Sequence, residues 1–152
     1  MKDKIGKSRH LLILLFPACA LFLLGMSGMG TEDVTRRIPT PDMNYRVTVV
    51  DQADVRTQVT MFSINGYTVL LGRQGKGTLA VPFSQLKQAD FRLKDQDLEV
   101  VLRLKDDHVV TLVAERKTDC FGKTKYGNYK IQLGDVRTLI IEGLVEPQPA
   151  AK

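Results

Sequence analysis

The chain has 152 residues and a formal charge of +5, leaving room for one domain of about 100 residues once a leader-like opening is set aside. The charge does not argue for nucleic acid, because Lys2, Lys4, Lys7 and Arg9 against Asp3 supply +3 before residue 11, and from residue 31 on 18 Lys and Arg face 16 Asp and Glu. From residue 31 on there is one histidine, one cysteine and two serines, too few for a recognisable catalytic set.

Residues 1–30, MKDKIGKSRHLLILLFPACALFLLGMSGMG, pair a basic start with an apolar run and small residues, the pattern of a signal peptide. Gly25 with Ser27, or Gly28 with Gly30, supply the small pair that a signal peptidase needs, giving cleavage before Gly28 or Thr31. Leu11 to Met29 is also close to a bilayer's span, so membrane association through an uncleaved N-terminal anchor at 11–29 is the competing reading. Lipid attachment at Cys19 is disfavoured, because Phe16 and Pro17 precede Ala18 and the apolar run continues past the cysteine. Each reading places the folded part outside the cytoplasm, periplasmic or secreted.

Residues 31–44, TEDVTRRIPTPDMN, read as a linker, and 145–152 as a disordered tail. Between them, residues 45–144 show a period of two. In LEVVLRLK, Leu98, Val100, Leu102 and Leu104 share one face while Glu99, Arg103 and Lys105 share the other. QVTMFSI, TVLLG, TLAVPF, HVVTLVAE, NYKIQL and VRTLIIEG behave likewise. The expected fold is all-β, a sandwich or small barrel of about eight to ten short antiparallel strands. The Cys, Trp and Cys hallmarks of an immunoglobulin domain are missing.

Without any gap, LLGRQGKGTLAVPFSQLKQADF from Leu70 matches CFGKTKYGNYKIQLGDVRTLII from Cys120 at an offset of fifty. Gly72 falls on Gly122 and Gly77 on Gly127; Leu79, Val81, Phe83, Leu86, Ala89 and Phe91 fall on Tyr129, Ile131, Leu133, Val136, Leu139 and Ile141. Upstream the same offset sets Val59, Phe62 and Thr68 on Val109, Leu112 and Thr118. Matched glycines exceed what a shared period supplies, so two sequence-related halves of about fifty residues are expected, near 45–93 and 95–143.

GRQGKGT is not a phosphate-binding P-loop, since Gly77 follows Lys76 where Ser or Thr is required and a strand containing Pro82 comes next. Gly72, Gly75 and Gly77, with Gly122 and Gly127, read instead as turn or bulge glycines needing positive φ. His108 follows Asp106 and Asp107 in a polar turn and has no second histidine with which to hold a metal. Ser63, Ser84 and Cys120 lack motif support as nucleophiles, Cys120 reads as a buried hydrophobe, and Asp95 and Asp97 as a solvated turn. Neither enzyme activity, a cofactor nor a metal is expected.

The surface with a physical case is the second glycine hairpin, where Arg116, Lys117, Lys123, Lys125 and Lys130 interleave with Phe121, Tyr126 and Tyr129. The first hairpin carries Arg73 and Lys76 near Tyr67. Alternation points Tyr129 inward and leaves Tyr126 free. The functional expectation is a non-enzymatic binding or assembly module at the cell envelope whose partner is an envelope protein, with an anionic lipid or acidic glycan bound by the basic hairpins as the alternative.

Overall fold

The computed structural model describes residues 38–146; the leader with Cys19, residues 31–37 and the end of the tail lie outside them. Among the described residues no helix is long and apolar enough to cross a membrane. Ten strands follow in chain order: β1 Tyr45–Asp51, β2 Arg56–Ile64, β3 Val69–Gln74, β4 Gly77–Pro82, β5 Leu86–Lys94, β6 Asp97–Leu104, β7 Val109–Ala114, β8 Asp119–Thr124, β9 Gly127–Gln132 and β10 Val136–Leu144. A 3-10 turn, Leu133–Asp135, leads into β10.

Alternation decides the strands. In YRVTVVD of β1, Tyr45, Val47 and Val49 are buried while Arg46 is exposed and Thr48 half-exposed. β6 repeats this with Leu98, Val100 and Leu102 inside. Each fully buried Val or Leu contributes about 1.5–3 kcal/mol of transfer free energy, so a one-residue slip in either strand would expose its whole apolar set. All the pairings are antiparallel and form one sheet, in the order β4-β3-β7-β6-β5-β10-β1-β2-β8-β9.

Chain length forces this sheet to curl. β2 and β3 stand six places apart in the order, about 29 Å if the sheet were flat at ~4.8 Å per strand. The link from Ile64 to Val69 spans five residue steps, a reach of about 17 Å. The same limit applies from Ala114 to Asp119, between β7 and β8. The sheet therefore rolls into a half-barrel around Val47, Val59, Leu102, Leu112 and Leu139, with Phe83 stacked on Phe62 at 5.9 Å and edge-on to Tyr45 at 5.6 Å. Of the two expected architectures, the barrel-like one forms.

The two halves of the sheet correspond strand for strand. Moving β3, β4 and β5 by fifty residues gives the bounds of β8, β9 and β10, and renumbering every strand five places on reverses the sheet order. Ala89 pairs with Leu139 at the centre, and its neighbours Gln88↔Ile140 and Asp90↔Thr138 exchange under the same shift. Phe83 N–H donates to Thr68 O at 3.0 Å, and Leu133 N–H to Thr118 O at 2.8 Å.

The upstream match needs correction. Over β1 and the start of β2 the equivalent offset is fifty-three, because β2 has nine residues and β7 only six. Val59 thus corresponds to Leu112 rather than to Val109. The extra residues sit at a register break between Thr60 and Ser63, where Met61 has φ 51° and its N–H donates to Asn44 Oδ1 at 2.8 Å. With this offset the turns also agree: Asp54 and Asp107 have φ of 66° and 67°, and they pair respectively with Arg137 and Lys87.

The glycines also depart from expectation. Positive φ falls on Gly75 (60°) and Gly127 (152°), not on Gly72, Gly77 or Gly122. Gly72 and Gly122 lie inside β3 and β8, where the requirement is space: a Cβ on Gly72 would sit 2.8 Å from Leu112 Cβ, and one on Gly122 3.0 Å from Val59 Cβ. Each glycine thereby lets a hairpin of one half press against the other half, β3 on β7 and β8 on β2.

Candidate anion-binding groove

The β8–β9 tip is shaped locally. Tyr126 N–H donates to Thr124 Oγ1 at 3.2 Å, and that hydroxyl donates to Gly127 O at 3.0 Å, closing the TKYG turn. Lys125 and Tyr126 are left outside: Tyr126 is 86% exposed, with Lys125 Nζ 4.7 Å from its ring centroid. Because β8 pairs with β2, the tip stands beside the outward residues of β1 and β2. A groove of about 800 Å³ results, lined by Arg46, Arg56, Lys123, Lys125 and Tyr126 together with neutral Thr and Gln side chains.

No carboxylate lines this groove. Glu142 is tied to the lining residue Gln58, its oxygens accepting from Thr48 Oγ1 and from Gln58 Nε2 at 3.1 and 2.9 Å. Those two donors, then Arg46's charge, hold its carboxyl below the usual range against a small desolvation penalty. The half-barrel does not impose most of these cations. At the equivalent positions of the other half, Arg46 and Arg56 become Glu99 and Val109, Lys125 and Tyr126 become Gly75 and Lys76, and only Lys123 meets another cation, Arg73.

The remaining expected residues disperse. Arg73 is 3.9 Å from Asp97 and lines a separate groove of about 310 Å³ with Arg116. Lys76 occupies the exposed β3–β4 tip, at the opposite end of the strand order from β8–β9, and Lys117 lies exposed between β7 and β8. Lys130 is committed to Asp119 at 2.8 Å and sits over the Phe121 ring, a packing role. Tyr129 packs against the core. The sequence reading misses Arg46 and Arg56: alternation along β1 turns Arg46 outward, but only the β2–β8 pairing brings the two arginines to the lysines.

The scarce reactive groups do not converge. Cys120 is buried, and desolvation first, with Asp119's charge second, pushes its thiol far above the ordinary range, so it is not a nucleophile at neutral pH. Ser63 is buried, whereas His108 lies exposed in the β6–β7 turn with Nδ1 3.0 Å from Asp106 Oδ2. Among the described residues no three His, Cys, Asp or Glu are placed to hold a metal ion.

A family model described as "Uncharacterised protein" matches residues 41–143, more than half of the chain and nearly all of the half-barrel. The chain belongs to that family. No curated protein and no solved structure matches it. The matched span covers all ten strands, leaving off only the last residue of β10.

Proposed function

We propose that this chain is an exported, non-enzymatic binding module of the cell envelope that holds an anionic partner in the groove between β1–β2 and the β8–β9 tip. One observation carries the reading: four cations and an exposed tyrosine line a groove without a carboxylate, whereas the equivalent positions of the other half hold only two cations, Arg73 and Lys76, beside Glu99. Such a surface draws a polyanion by screened charge attraction, about 1 kcal/mol for each Lys or Arg near an anionic surface. The correspondence of the halves supports descent from a duplicated unit of about fifty residues, with Arg46 and Arg56 setting this groove apart from its counterpart.

The test compares vesicles containing phosphatidylglycerol with neutral phosphatidylcholine vesicles, a difference that cancels any contribution of apolar residues 11–29. Lys123→Glu with Lys125→Glu is expected to lower the anionic preference about tenfold or more at 0.1 M salt and to flatten its salt dependence. Heparin in place of vesicles separates an acidic glycan from a lipid surface. An unchanged preference with both probes would refute the reading. Export is tested apart, by intact mass: a soluble chain beginning at Gly28 or Thr31, or an uncut chain in the membrane, agrees with it, and an uncut chain in the cytoplasm does not.

A further inference from the structure

A second cleft, of about 970 Å³, opens where β5, β6 and the start of β10 meet the β7–β8 loop. Four arginines line it, Arg92, Arg103, Arg116 and Arg137, against two carboxylates, Asp90 and Asp135. Asp90 is already engaged. Its oxygens accept from Gln88 Nε2 at 2.8 and 3.0 Å and from Thr138 Oγ1 at 3.0 Å, and Arg103 stands 3.8 Å away. Arg137 is paired outward with Asp54.

Arg92 and Arg116 differ from these. Neither forms an ion pair with another described residue, and both are exposed. Glu99 is opposite Arg92 in the β5–β6 register, yet the two make no ion pair. The backbone that carries Arg116 is held in place: Gly134 N–H donates to Arg116 O at 2.9 Å, and a Cβ on Gly134 would come within 3.1 Å of that oxygen. The same segment is tied by Gln52, whose N–H donates to Asp135 O at 2.9 Å and whose Nε2 donates to Val136 O at 3.0 Å. Two unpaired guanidinium forks thus stand on a braced frame, with two further arginines partly neutralised beside them.

We propose that this cleft is a second, independent binding site that takes a compact phosphate group. Guanidinium forks match the geometry of a phosphate and donate to it in pairs, which suits a cleft whose four cations are all arginine, where the other groove mixes two arginines with two lysines. The fold does not require the charge here either. Arg92 corresponds to Glu142 in the second half, and Asp135 to Gln85. The site takes the phosphate of a soluble ester or of a lipid head group, which share this chemistry.

The test is titration of the full chain with inorganic phosphate and pyrophosphate at constant ionic strength, followed by calorimetry and by thermal shift. Saturable pyrophosphate binding is expected, stronger than that of chloride at the same ionic strength. Arg92→Lys with Arg116→Lys keeps the charge and removes the forks, and should weaken binding about tenfold; reversal of both to Glu should abolish it. Lys123→Glu with Lys125→Glu should leave it intact, so failure of this site and failure of the other groove are read separately. Competition by phosphatidic acid vesicles assigns the phosphate to a head group, and its absence to a soluble ester. No saturable binding, or binding indifferent to both arginine substitutions in chains of unchanged melting temperature, would overturn the proposal.

Discussion

Gly72 and Gly122 are the residues on which the fit of the two halves depends. Alanine at Gly72 would drive its Cβ to 2.8 Å from Leu112 Cβ, and alanine at Gly122 to 3.0 Å from Val59 Cβ, against β-carbons that have no freedom to rotate away. Gly72→Ala and Gly122→Ala should each cost about 1–3 kcal/mol in urea unfolding, Gly72→Ala the more. Equal stability to wild type would show that the hairpins do not press on β7 and β2. Glu142 sets a smaller effect with a definite sign. Its folded pKa is lowered, so its contribution is present above the unfolded value and is lost as pH falls through the folded one. Glu142→Gln should therefore remove a small part of the stability at neutral pH, under about 1 kcal/mol because the group is exposed, and should flatten the decline below about pH 4.5. A decline as steep as wild type would contradict the role given to Thr48 and Gln58.

At the scale of elements, strands were legible wherever one face was buried, because alternation is a direct record of burial; β6 and β10 are clear cases. The offset of fifty was legible for the same reason from Leu70 on. It also holds at Thr68 and Thr118 and fails only before the register break in β2, because the extra residues are absorbed at Met61, where a side chain from outside the strand, Asn44, takes the N–H that the ladder leaves. Nothing local in QVTMFSI announces that irregularity. Asn44→Ala leaves this donor without its acceptor and should cost about 1–3 kcal/mol, with hydrogen exchange rising first at Met61 and its neighbours. Exchange unchanged there would show that the register break needs no such support. The glycines misled in the opposite direction: composition signals a need for a small residue, but a turn and a close strand contact ask for the same residue for different reasons.

The candidate site belongs to the whole molecule, since Arg46 and Arg56 reach Lys123 and Lys125 only through the exchange of hairpins between halves. Half of the groove was therefore readable as a basic hairpin and half was not, because pairing between β2 and β8 joins residues some sixty apart in sequence. The same symmetry makes a prediction about connectivity. Tyr45 pairs with Leu144, so the domain's ends are neighbours, and the β5–β6 turn is the counterpart of that gap. A circular permutant of residues 44–145, which keeps Asn44 and its bond from Val145 N–H, joined at those ends and opened between Asp95 and Gln96, should fold with the same strand content and a melting temperature within several degrees of the parent. An unfolded permutant would show that the halves are not equivalent in how they assemble.

The most direct measurement of the central claim is a map of backbone amide shifts in the full chain as heparin or phosphatidylglycerol vesicles are added at fixed salt. Shifts or broadening centred on Arg46, Arg56 and residues 123–126, and reversed by added salt, are the predicted result. Perturbation confined to the β3–β4 tip, or spread evenly over every lysine and arginine, would contradict it.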